Sequence, residues 1–417
     1  MGNESRFGER LAVLNDAIAL KEPARVPLAI KVGGLPYHLY GQGSHAAEFY
    51  DYDAVTEPVI KFHEEFQPDV ASCPQYQSGK ANEIAKTQLI DWPGREGTNL
   101  SPLSTHQVME HVFMSQDEYD EAIRDFTGFL IKKYIPRSYT ALSGLSTFTF
   151  NTASVLGIPP FKMMLTPNTL GALQTIGEIA KLNAEADAAT AGMQKKLGEM
   201  GFPPLFTGIS QAPFDIIGDF FRGTMGMFDD QLEIPEKIAA LCDVIAEDQI
   251  SHLQYLRHVP IPVKRVVFFM HKGMDKFISD SQYLELYWRP MQKIFAALID
   301  MGATPYIFTE GPYNTRIKTM VEELSKLPPG KCLIHFEHGD LKEIKKAFSG
   351  LACIDGGVSI TTLEYGTKEQ VINEVKYAID NCMPGGGFML NTSGAIEGGK
   401  RENIEAMFET ARNYGKK

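Results

Sequence analysis

The chain has 417 residues, 44% hydrophobic and 22% charged, the makeup of an ordinary folded protein with room for a large core. A net charge of -12 with no Lys/Arg-rich run argues against nucleic acid or an anionic membrane as a partner. No apolar run approaches a membrane span, the start MGNESRFGER lacks an apolar signal core, and five scattered cysteines without a CxxC pair point to a reducing cytoplasm.

The first 25 residues read as a helical extension. Short apolar runs then predict strands at 26–32, 70–73, 205–209, 266–271, 305–310, 332–337, 352–354 and 387–391. Amphipathic spacing predicts helices at 235–256, 281–301, 314–327, 341–348, 368–381 and 401–414; in the last, Ile404, Met407 and Ala411 share one face. Residues 75–200 break this rhythm and read as a helical and loop elaboration. Eight strands alternating with helices predict one decorated α/β domain over 1–417, a (β/α)8 TIM barrel whose site lies at the C-terminal strand ends. The first strand is not followed by GxGxxG, which weighs against an open dinucleotide-binding sheet.

Chemistry gathers at three of those ends. Along 332–337 successive side chains face opposite ways, so Ile334 and Phe336 share one face while His335 and Glu337 share the other. Tyr306, Phe308 and Glu310 alternate likewise, with Glu310 at the exit, and His271 ends the strand before. A lone strand histidine is more often a hydrogen-bonded core residue than a ligand, but His335-Phe336-Glu337-His338 is a cluster. His271, Glu310 and one of Glu337 or His338 would suffice for zinc or another divalent cation with a position left open. The same groups would equally form an acid/base pair without metal. Glu337 and His338 face the same lumen only where the strand has already turned, so which of His335, Glu337 and His338 face the site stays open. Lys31, Tyr76, Phe308, Asn391 and Ser393 are the candidate substrate contacts. The turn Asn391-Thr392-Ser393-Gly394 follows a strand, whereas Pro384-Gly385-Gly386-Gly387 precedes one and reads as structural. Aromatic and methionine side chains crowd the same strands and suit a flat apolar ligand.

Several segments resemble the uroporphyrinogen decarboxylase superfamily, and within it the zinc-dependent, corrinoid-linked methyltransferases more than the decarboxylases. They are Arg25-Val26-Pro27-Leu28, Gln211-Ala212-Pro213-Phe214 through Arg222-Gly223-Thr224, 305–311, Gly356-Gly357-Val358, 384–388 and Glu402-Asn403-Ile404, within a loose likeness over most of 20–414. The resemblance implies a TIM barrel. Where the decarboxylases carry carboxylate-gripping arginines and an Asp, this chain has Lys31-Val32-Gly33-Gly34-Leu35 and Ser72-Cys73-Pro74-Gln75. Where the methyltransferases carry His-x-Cys and a late Cys on zinc, it has Phe308, Glu310 and Ser393. What the resemblance then implies is an O-demethylating methyltransferase acting on a small, methoxylated aromatic substrate, with metal or an acid at Glu310/His338 activating the leaving oxygen. No Asp-x-His-x-x-Gly cobalamin signature occurs, so cobalamin would come on a separate corrinoid protein. A metal-free lyase or decarboxylase and a non-catalytic binding barrel are the alternatives; homo-oligomerisation is left open.

Overall fold

The computed structural model describes residues 2–148 and 166–416. Six parallel strands lie side by side in chain order. They are β1 (Gly208–Gln211), β2 (Arg265–Met270), β3 (Thr304–Thr309), β4 (Leu333–Phe336), β5 (Cys353–Val358) and β6 (Phe388–Thr392). In register, Val266 pairs with Pro305, Phe308 with His335, and His335 with Asp355.

Two less regular segments close this sheet into the eight-stranded barrel. Ala29 N–H donates to Leu390 O, and Leu390 N–H donates to Pro27 O, each at 2.9 Å. Asp69 N–H then donates to Leu28 O at 2.9 Å, and Ala71 N–H to Pro203 O at 2.8 Å. The predicted strands at 26–32 and 70–73 are therefore in place, but as isolated bridges rather than ladders. Two local causes are visible. Pro27 has no N–H to give, and Leu28 N–H is diverted to the Asp69 carboxylate at 2.7 Å. The strand predicted at 352–354 instead runs on through Gly356 and Gly357, whose φ values of +146° and +140° only glycine accommodates readily.

Alternation sorts the side chains as the pattern requires. Val266, Phe268, Ile307, Ile334 and Phe336 face outward into the layer of helices. Val267, Tyr306, Phe308, Leu333 and Met389 face the lumen, where Leu14, Ala17 and Ile18 of the helix Asn3–Ile18 plug the N-terminal end. Full burial of such side chains contributes roughly 1.5–3 kcal/mol each. At that same end Gly386, with φ +72°, lies against the Lys21 backbone, where a Cβ would meet it at 2.5 Å. The 384–387 turn is thus a packing device.

Within 75–200, the segments Gly79–Ala85 and Pro167–Glu199 are helical, the latter 33 residues long. Residues 149–165 of that stretch lie outside the described residues. The helix predicted at 401–414 is found with those bounds, and that at 368–381 runs one residue further, to Cys382. Among the described residues, no helix is long and apolar enough to cross a membrane.

Candidate active site

At the C-terminal strand ends a cavity of 130 Å³ is lined by Lys31, Phe269, Phe308, Glu310, His335, Glu337, Asn391, Gly394 and Ala395. Strand geometry explains the gathering. Phe269, Phe308 and His335 stand at paired positions on β2, β3 and β4, and Glu310 and Glu337 sit where β3 and β4 leave the barrel. The His335 ring stacks on Phe308 with centroids 4.0 Å apart. Five of the sequence-selected residues (Lys31, Phe308, Glu310, Glu337 and Asn391) therefore share one wall.

His271 takes part through Glu310. Its Nδ1 lies 2.7 Å from Asp219 Oδ2 and its Nε2 3.2 Å from Glu310 Oε2. Burial lowers its pKa, but the hydrogen bonds to Asp219 and Glu310 and the charges of Asp215 and Asp219 prevail and raise it to about 10. The ring is therefore an imidazolium clamped between carboxylates at neutral pH. Beneath it Asp215 accepts from His271 N–H and Lys272 N–H at 2.8 Å each and from the Tyr287 hydroxyl at 2.6 Å, fixing the strand exit.

Glu337 Oε2 accepts Gly311 N–H at 2.8 Å. Burial pushes its pKa up; the Gly311 bond opposes this and the charge of Glu310 adds to it. Lys31 lays its ammonium over Phe206 at 4.8 Å and Phe269 at 5.7 Å. Burial lowers its pKa against the charges of Glu310 and Glu397. Asn391 Oδ1 accepts Lys31 N–H at 3.4 Å and its Nδ2 donates to Asp355 Oδ2 at 3.4 Å.

Three selected residues lie elsewhere. His338 is exposed and absent from the cavity wall. β4 ends at Phe336, and Gly339 with φ +126° follows in the turn, so the chain has left the barrel by His338. Ser393 Oγ accepts Ile360 N–H at 3.2 Å, tying two loops together. Tyr76 packs against Tyr52 and lines a different cavity, with Met193 and Lys196.

Zinc through His271, Glu310, Glu337 and His338 does not fit this arrangement. His338 stands apart, exposed and off the wall that holds Glu310 and Glu337. Among the described residues, no group of three or more His, Cys, Asp or Glu side chains is set to hold a metal ion.

Residues outside the sequence reading complete the site. Asp219 lies four positions after Asp215 in the segment following β1, and Asp355 is a lone charge in the apolar strand β5. Each was visible as an ionisable group out of place, but neither had a partner nearby in sequence. A second cavity of 510 Å³ opens between 70–75 and 204–209 and shares Lys31. It is larger, but no carboxylate or imidazole lines it, whereas Glu310, Glu337 and His335 line the smaller one. At the rim, Gly33 and Gly34 leave space for the Glu397 carboxylate, which His45 Nε2 meets at 2.7 Å.

Together these features define a (β/α)8 barrel with an ionisable, aromatic-walled cavity at its C-terminal mouth. Residues 161–414 match the uroporphyrinogen decarboxylase (URO-D) family, and the protein belongs to that family. It is also similar to the solved structure of a methyltransferase from Methanosarcina mazei, at 14% identity, with 99% of each chain covered and a TM-score of 0.61. At that identity the likeness bears on the fold. No curated protein matches the sequence.

Proposed function

We propose that the protein is a methyltransferase that takes the methyl group from the oxygen of a small O-methylated compound, above all a methoxylated aromatic. The acceptor substrate is the cobalt(I) of a corrinoid carried by a separate protein that docks at the barrel mouth. The methyl carbon–oxygen bond breaks, its electron pair stays on oxygen, and the carbon bonds to cobalt. The oxygen then needs a proton, since alkoxide and phenoxide leave poorly.

The observation that carries this reading is the cavity itself. A dry cavity of about 150 Å³ accepts one benzene ring, and this one, at 130 Å³ and lined by the Phe269 and Phe308 side chains, is of that size. A four-ring tetrapyrrole is far larger. The places where decarboxylases hold arginines carry one lysine and two glycines filled by Glu397. Glu337, with its raised pKa, holds a proton closer to neutrality than an ordinary carboxyl does. Glu310 and the imidazolium of His271 form a second proton store beside it. In this reading Glu337 takes over the part that the sequence assigned to His338. A cobalt(I) acceptor requires a reducing compartment, and the five unpaired cysteines accord with the cytoplasm.

The test is to mix the purified protein with methoxylated aromatics and chemically reduced cobalamin or a corrinoid protein. We expect phenol and methylated cobalt to form in equal amounts. Carbon dioxide release without any methyl acceptor, or no transfer from any O-methyl donor, would contradict the proposal.

A further inference from the structure

At the opposite end of the barrel from the mouth lies a cavity of 370 Å³ that the reaction does not use. Its wall holds five cationic side chains, Arg6, Arg10, Arg25, Arg412 and Lys416, against two carboxylates, Glu9 and Asp69. In a chain of net charge -12 this is a local excess of positive charge. Part of it is scaffold. Asp69 Oδ2 accepts from Arg25 Nη1 at 2.5 Å and from Leu28 N–H at 2.7 Å, and its Oδ1 accepts from Arg25 Nη2 at 2.8 Å. Glu9 also attends Arg25, at 3.7 Å. Arg10 donates to Gly201 O and Gln67 Oε1 at 2.7 Å each and lies over the Phe202 ring at 4.1 Å. The other three cations are left over. Among the described residues, Arg6, Arg412 and Lys416 form no ion pair. Arg6 donates to Asn3 Oδ1, yet its Nε is buried without a hydrogen-bond partner. Arg412 donates to the Phe66 carbonyl. Burial lowers its pKa; the charge of Asp69 opposes this and that of Arg25 adds to it.

We propose that this cavity binds a phosphate group, free or as the monoester of a small metabolite, through Arg6, Arg412 and Lys416. A guanidinium meets a phosphate with two parallel N–H bonds, the geometry its planar fork is built for. A phosphate brings about two negative charges and three strong acceptor oxygens. It thereby offsets most of the unpaired positive charge, where a lone carboxylate would offset one cation. Val26, Leu28 and Ala411 give the organic part of an ester an apolar wall. The contacts come from the helix Asn3–Ile18, the last turn of the helix Arg401–Tyr414 and the residues after it. A bound anion therefore ties the two ends of the chain together and stabilises the folded state by mass action. None of this rests on the methyltransferase reading.

Titration calorimetry of the full chain in sodium chloride at about 0.15 M tests the site, since weak surface attraction is screened there. The probes are inorganic phosphate, glycerol phosphate and succinate. At least one of the two phosphates should bind with a Kd below about 1 mM, and about tenfold or more tighter than succinate. Tighter binding of glycerol phosphate marks an ester as the ligand; equal or tighter binding of inorganic phosphate marks the free anion. Arg6→Gln and Arg412→Gln should each weaken binding about tenfold or more. Lys342→Gln, on an exposed lysine outside the cavity, should leave it unchanged. Should either arginine variant not fold, Lys416→Gln serves in its place, because that residue is exposed and outside any ion pair among the described residues. Binding weaker than about 1 mM for both phosphates, succinate bound as tightly as phosphate, affinity unchanged in the cavity variants, or an equal loss in Lys342→Gln overturns the proposal.

Discussion

Two histidines stand two strands apart on this barrel, and their surroundings treat them in opposite ways. His271, at the exit of β2, is a third exposed and has a carboxylate on each nitrogen. His335, inside β4, is sealed from solvent and has a carboxylate on one nitrogen and nothing on the other. The first arrangement fixes a charge and hands it to Glu310. The second pins the ring to Asp355 and leaves its Nε2 buried without a hydrogen-bond partner. Two copies of the same side chain thus meet opposite surroundings, a ring paired on both sides at the mouth and an unmatched nitrogen in the lumen.

The largest effect expected from breaking this contrast is on stability. Asp355→Leu strips the partner from His335, Tyr306 and Asn391 in the driest part of the barrel, and should cost about 3 kcal/mol or more. Urea denaturation reads it directly; a loss below about 1 kcal/mol would mean that Asp355 is not the hub described. At the mouth the balance shifts from folding to activity. Glu310→Gln should lower methyl transfer roughly 100-fold, while stability changes by less than about 1 kcal/mol, since the His271–Glu310 pair is partly exposed. The reverse pattern would move Glu310 from the chemistry to the scaffold.

The pH dependence sharpens the same contrast. The folded pKa of His271, about 10, lies above its ordinary value near 6.5, so folding favours the protonated ring. Its stabilisation is complete below pH 6.5 and is lost as pH rises through about 10. Thermal melts of wild type and His271→Gln should differ most near pH 6 and converge above pH 10; a gap that widens with pH would reverse the assignment. His338→Ala should have the smallest effect, within about 0.5 kcal/mol and with unchanged turnover, as befits an exposed residue off the cavity wall. A large loss of activity would return His338 to the site.

Much of this was legible in the residues. Alternation along 332–337 put His335 and Glu337 on the lumen side and Ile334 and Phe336 outside, and the structure agrees. The strand rhythm located all eight barrel segments. What escaped were relations between segments. The Asp355 partnership spans 20 residues and that of Asp219 spans 52, and no local pattern encodes either. Period-two reasoning also fails where a strand stops, which is why His338 resembled a site residue until its chain was seen to turn away. Tyr76 and Ser393 were marked by their places after strands, but packing and loop bonding employ them instead.

Everything proposed for the mouth depends on which bond to the substrate oxygen breaks. A methoxyphenol labelled with heavy oxygen in the methoxy group, turned over in ordinary water with reduced cobalamin, answers this by mass spectrometry. The account predicts full retention of the label in the dihydroxy product, with the methyl group on cobalt. Label lost to solvent, or methanol released in place of methylated cobalt, would contradict it.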